Sequence, residues 1–315
     1  MYNLYMLKII LIVVFSVLAF ILLVIIILGI IGYNIIYKRT KENYDVLKVS
    51  DDKFKYPLIV KEKCIEYRNI PCEEIYITNK RNIKLYGELR KCNIQKNNEI
   101  PTIVLFSHGY QSSSSNDVPL FCNFQLKNYD ILAIDHEGHG KSGGKHSGFG
   151  IYEYENIILW VNKINEIYNH KVNIFLHGVS MGSNSVLLTA STKMENVKGI
   201  IGDCGFTSTY DITKYLSKLH FVAFSICLVN STIIRRNIFK YSTTKTLSKS
   251  LYPILLIHGK DDKFVPFFMS EKNDKACKAK HKFIAIDKAS HAKSYLTNPS
   301  LYEEEFNEFI KENIK

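Results

Sequence analysis

Residues 172–182 read Val-Asn-Ile-Phe-Leu-His-Gly-Val-Ser-Met-Gly, and small and apolar residues follow from Ser183 to Ala190. An apolar run rich in β-branched and aromatic residues, ending in Gly-Val-Ser-Met-Gly, predicts a buried strand, a tight turn and then a helix. Gly178 and Gly182 lack a Cβ, which lets strand and helix close around a strained turn. Such a turn lifts the Ser180 hydroxyl to the top of a sheet and aims a helix N-terminus at it. The rival reading is a glycine-rich turn with an incidental serine. The rest of the chain has to decide.

Seven further runs predict strands. Glu74–Thr78 and Ile83–Leu89 alternate apolar and polar residues around an Asn79–Asn82 turn, as antiparallel strands with one wet face do. Thr102–Phe106, Ile131–Ile134, Gly199–Ile201, Ile254–Ile257 and Phe283–Ile286 are continuously apolar, as strands buried on both faces are. Helical patterns lie between them, at Tyr152–Tyr168, Ser183–Ser191 and Tyr302–Ile314. The alternation predicts an α/β fold with a mostly parallel central sheet flanked by helices. Residues 206–250 break the rhythm with the apolar run Phe221–Val229 and no clear strand. A small helical cap over the sheet edge is the favoured reading there, with a simple buried helix as its rival.

From Ile9 to Tyr37 no residue is charged, and most are Ile, Leu, Val or Phe. About 20 apolar residues cross a bilayer as a helix, so residues 1–37 predict one N-terminal transmembrane helix. A cleavable signal peptide has a shorter apolar core and a small-residue cleavage site, and neither is seen. Residues 38–56 are polar and read as a stalk, with the folded domain over 57–315. The prediction is a single-pass protein of the cell membrane. Lys38, Arg39 and Lys41 lean the large domain towards the cytoplasm, against the rival of outward display. The formal charge of +11 comes mostly from scattered lysines, with no dense basic block, which argues against nucleic acid. Seven cysteines show neither zinc spacing nor a disulfide framework.

A serine hydroxyl needs a base to take its proton, and the base needs an acid to orient it. After Ser180 the chain offers Asp261 and Asp262 in a loop just past the strand Ile254–Ile257, then His291 in a loop past Phe283–Ile286. The order Ser, Asp, His suits a strand-turn-helix nucleophile, and parallel strands bring all three loops to one sheet edge. His281 begins its strand and falls at the wrong end. Asp262 is preferred to Asp261. Asp203, past the next strand, reads as a loop-bracing carboxylate. The backbone N–H groups of Tyr110, freed by Gly109, and of Met181 are the candidate oxyanion donors. His108 and His258 read as braces. His136, Glu137 and His139 share one loop, but intervening glycines and the lack of a second ligand cluster argue against a metal.

Six stretches, taken in order, carry a resemblance: Ser107–Tyr110, Asp135–Gly143, Gly178–Gly182, Asp203–Phe206, His258–Pro266 and Ser290–Ala292. Over residues 57–315 the chain resembles the α/β hydrolases, in particular bacterial membrane-anchored, esterase-like members. The resemblance implies an eight-stranded, largely parallel sheet, a Ser-His-acid triad and no cofactor. It also implies that Asp135–Gly143 is a structural loop beside the site. The expected activity is a serine hydrolase acting on a small-molecule or lipid-like carboxylic ester, with Ser180, Asp262 and His291 catalytic. A thioesterase or peptidase of the same fold, and an inactive membrane-bound interaction module, are the alternatives.

Overall fold

The computed structural model describes residues 2–39, 58–92, 100–121 and 124–314. Apart from 38 and 39, the expected stalk lies outside the described residues. Eight strands form one sheet: β1 (Glu73–Thr78), β2 (Lys84–Arg90), β3 (Thr102–Ser107), β4 (Asp130–Ile134), β5 (Asn173–Val179), β6 (Val197–Asp203), β7 (Ile254–Gly259) and β8 (His281–Ile286). Their order is β1-β2-β4-β3-β5-β6-β7-β8. The β1–β2 and β2–β4 pairs are antiparallel and the other five are parallel.

The apolar strands have both faces covered, which is why their sequences do not alternate. Along β3, Ile103 and Leu105 join one core and Val104 and Phe106 the other, because successive side chains point to opposite faces. Helix α4 (Ile151–Ile167) seats Ile157, Trp160 and Ile164 on the first face. On the second, α11 (Pro299–Asn313) seats Tyr302, Phe306 and Ile310, one helical turn apart. β2 departs from its predicted wet face: every residue from Leu85 to Arg90 is buried. The polar members are paired rather than hydrated. Arg90 meets Glu88 at 2.5 Å and the Tyr67 hydroxyl of α2 (Leu58–Asn69) at 2.9 Å. A buried charge is tolerated when it is partnered in this way.

Helix α1 (Tyr2–Gly32) runs into one π-helical turn, Tyr33–Tyr37. The apolar length Leu4–Tyr37, 34 residues, is long enough to cross a bilayer. Its end is tied to the domain. Tyr37 is fully buried beside Phe149, and Arg39 donates to the carbonyls of Ser142 at 2.6 Å and Gly140 at 2.8 Å. Residues 206–250 hold α6 (Thr209–Ser217), α7 (His220–Ile233), a 3₁₀ turn (Ile238–Lys240) and α8 (Thr243–Leu247). Helix α7 packs against α1 as well as against the domain.

Candidate active site

Ser180 stands between β5 and α5 (Met181–Leu188) with φ 55° and ψ −115°. The two glycines around it are forced. A Cβ on Gly178 would lie 2.2 Å from the Gly182 carbonyl oxygen, and one on Gly182 would lie 2.0 Å from that of Ser107. The turn is fixed from outside by Ser180 N–H donating to the Asp203 carbonyl at 2.9 Å.

The other two residues arrive on neighbouring loops. Asp262 follows β7 and His291 follows β8, so parallel pairing delivers both to the edge where β5 ends. His291 Nδ1 lies 2.7 Å from Asp262 Oδ2, and His291 Nε2 lies 2.9 Å from Ser180 Oγ. With Nδ1 facing a carboxylate, the ring hydrogen belongs there, which leaves Nε2 to accept the Ser180 hydroxyl. Asp262 is anchored as well as aimed: its Oδ1 accepts the Phe264 and Val265 N–H groups, both at 2.9 Å. Burial pushes its pKa up, but hydrogen bonds from His258 and His291 outweigh this and hold it at about 2. Asp261 is exposed, and His281 pairs with Asp274 at the far end of the strand.

The remaining candidates brace this arrangement. His258 Nε2 faces Asp262 Oδ2 at 3.1 Å and the Val265 carbonyl at 3.0 Å, two acceptors that require an N–H, so Nδ1 accepts from Ser270 at 2.6 Å. Asp203 accepts from Ser294 Oγ at 3.0 Å, a residue of the segment after His291 rather than of its own loop. Burial raises its pKa to about 6. His108 Nδ1 donates to the Gly109 carbonyl at 2.6 Å while Nε2 accepts the His136 N–H at 3.0 Å. The Asp135–Gly143 loop is knotted on Asp135, whose carboxylate accepts the N–H groups of Ser114 and Lys141.

Tyr110 and Met181 are the two candidate oxyanion donors. Met181 opens α5, where a backbone N–H has no intrahelical partner. Tyr110 follows Gly109, whose added Cβ would come within 3.6 Å of Ser180 Cβ. The Gly109 N–H is itself held by Asp117 Oδ2 at 2.7 Å. Asp117 and Cys204 carry no role in the sequence reading. Asp117 lies in the first turn of α3 (Ser114–Phe121), where an acid is ordinary. Cys204 becomes notable only in space, because its Sγ and the ligand atoms of Asp262 and His291 fall within 4.8 Å of one another. That set could hold a metal ion, although two of its members already bond to each other.

The fold is that of the α/β hydrolases. A family profile described as serine aminopeptidase, S33, matches residues 98–226, a span that holds Tyr110, Ser180 and Met181 but not Asp262 or His291. The uncharacterized protein YqkD of Bacillus subtilis is 25% identical over 219 residues, which is 67% of this chain and 72% of that one. Among solved structures, the esterase Pf2001 of Pyrococcus furiosus superposes with a TM-score of 0.62 at 22% identity, covering 79% of this chain and 95% of its own. Est1E of Butyrivibrio proteoclasticus, solved with ferulic acid, gives 0.61 at 22% identity, covering 76% and 99%.

Proposed function

We propose that the protein is a membrane-anchored serine hydrolase that cleaves carboxylic esters through an acyl-enzyme. The observation that carries this reading is the unbroken relay from Asp262 through His291 to Ser180, at 2.7 and 2.9 Å. Ser180 Oγ attacks the ester carbonyl while His291 Nε2 takes its proton. Asp262, kept ionised, holds the ring tautomer and offsets the charge that the imidazole gains. The Tyr110 and Met181 N–H groups receive the oxyanion, where loss of one donor typically costs about 3 kcal/mol of transition-state stabilisation. His291 then gives its proton to the departing alkoxide. Water, deprotonated by the same ring, releases the acid and restores the serine. The helices over 206–250 serve as the cap, and the apolar length of α1 as the anchor. The esterases among the similar structures favour an ester.

The profile's description as a serine aminopeptidase favours a second reading, amide cleavage by the same three residues. One experiment separates the readings. Purified protein is treated with a fluorophosphonate probe beside Ser180→Ala, then tested on p-nitrophenyl esters, aminoacyl amides and acyl thioesters. Labelling that is lost in the variant, with esters turned over fastest, is the expected result. Faster amide or thioester turnover would replace the ester reading. No labelling of folded protein would leave an interaction module.

A further inference from the structure

Helix α7 carries apolar side chains on three sides, with Ser225 and Asn230 among them. One side, including Ala223, Cys227 and Asn230, is buried. A second side packs on the anchor. A Cβ on Gly29 would lie 2.2 Å from Val229 Cβ, and one on Gly32 would lie 2.5 Å from Ile226 Cγ1. Asn230 Nδ2 donates to the Gly29 carbonyl at 3.2 Å. The third side carries Phe221, Phe224 and Leu228, spaced i, i+3 and i+7, and all three are exposed. A helix with apolar residues on every side belongs where little of it meets water, and among the described residues protein covers two of these sides.

The exposed apolar surface continues towards the site. It passes from α7 through Leu219 to Tyr215 on α6, whose ring lies 6.3 Å from that of Phe268. The Tyr215 hydroxyl donates to the Lys263 carbonyl, next to Phe264. Phe264 is 45% exposed, and its ring lies 5.0 Å from that of His291. These exposed apolar residues, taken as one strip, lead from the anchor towards the base of the relay. Exposed lysines border it: Lys218 beside Leu219, Lys263 beside Phe264, and Lys272 with its Nζ 4.9 Å over the Phe268 ring. A basic rim on an apolar face suits a surface of anionic headgroups.

We propose that this strip lies in the leaflet beside the anchor, and that the substrate is an acyl ester of a membrane lipid. The lipid enters from the bilayer at Phe264, with its chain along α6 and α7. The inference rests on the ester-hydrolase reading. Ser180 Oγ then bonds to the acyl carbon, the bond from that carbon to the lipid's alcohol oxygen breaks, and His291 protonates that oxygen. Water later releases the fatty acid.

The test uses the full chain reconstituted in vesicles of phosphatidylcholine and phosphatidylglycerol. A triple variant, Phe221→Asp, Phe224→Asp and Leu228→Asp, touches no residue of the relay. Hydrolysis of p-nitrophenyl acetate in solution should stay within about twofold of the parent, while fatty-acid release from the vesicle lipids falls at least about tenfold. Equal loss on both substrates, or no loss on vesicles, overturns the proposal. A readout independent of activity is quenching of Phe224→Trp fluorescence by brominated lipid, measured against the parent, whose sole tryptophan, Trp160, is fully buried. Quenching is expected. Its absence with full soluble activity assigns the strip to a protein partner and overturns the proposal. Failure of the ester reading looks different: no Ser180-dependent turnover of the soluble ester, whatever the quenching shows.

Discussion

The serine at the centre of the site is held in a backbone conformation that its side chain disfavours. A φ of 55° with ψ −115° costs a residue with a Cβ about 1–3 kcal/mol, and the strand, the helix and the bond to Asp203 hold it there. Ser180→Gly should therefore unfold at a higher urea concentration than Ser180→Ala, by about 1 kcal/mol or more, although neither labels with fluorophosphonate. Equal midpoints would mean that the turn is unstrained. The acid is tested in the same way. Asp262→Asn leaves the shape but removes the acceptor that sets the His291 tautomer, and kcat should fall by about four orders of magnitude. Asp261→Asn, on an exposed carboxylate, should leave it unchanged. Ser180 and His291 could be read from their motifs because strand ends and glycines surround them. The adjacency of Asp261 and Asp262 was a matter of side-chain direction, which one-dimensional order does not carry. Asp117 and Cys204 become visible only when distant loops meet.

At the scale of elements, the eight strands show in the sequence, six as unbroken apolar runs because the sheet is covered on both faces there, and β1 and β2 through alternation. The wet face expected for β2 fails because alternation records polarity, whereas the Glu88–Arg90 pair is polar and buried. The junction between α1 and α7 has no periodicity to betray it. It depends on glycines whose missing side chains make room, at a register set by the whole domain. Gly29→Leu should separate the two helices, since the new Cβ would meet Val229 and the Asn230 bond to the Gly29 carbonyl would stretch. An overpacked contact of this kind costs about 1–3 kcal/mol. In detergent the variant should melt several degrees below the parent while hydrolysing a soluble ester at the parent's rate. An unchanged melting temperature would mean that α1 and α7 contribute nothing to each other's stability.

The whole molecule stores its response to acid in buried neutral imidazoles. Burial depresses His108 to about 4 and His139 and His177 to about 3. A ring whose folded pKa is depressed favours folding only while neutral. Its contribution is complete above the unfolded value near 6.5 and is lost as pH falls towards the folded value. Each pH unit of separation is worth about 1.4 kcal/mol. By about pH 4 the three rings together withdraw several kcal/mol, a large share of the stability of an ordinary domain. Glu153 works in the opposite direction. Burial raises it to about 7, so its contribution is complete below the unfolded 4.5 and is lost as pH rises through 7. Stability should therefore peak near pH 6–7, with cooperative unfolding on the acid side before pH 4. His177 gives the cleanest test, since Nδ1 accepts from Gln125 at 3.2 Å and Nε2 donates to the Tyr302 hydroxyl at 3.1 Å, and neither partner is a member of the relay. His177→Gln will cost stability at neutral pH through lost packing, so the midpoint alone decides nothing. The slope decides. Between pH 6 and 4 the unfolding free energy should fall less steeply in the variant, by about 1.4 kcal/mol per pH unit, because one fewer proton is taken up on unfolding. Parallel slopes would show that His177 is charged in the folded protein.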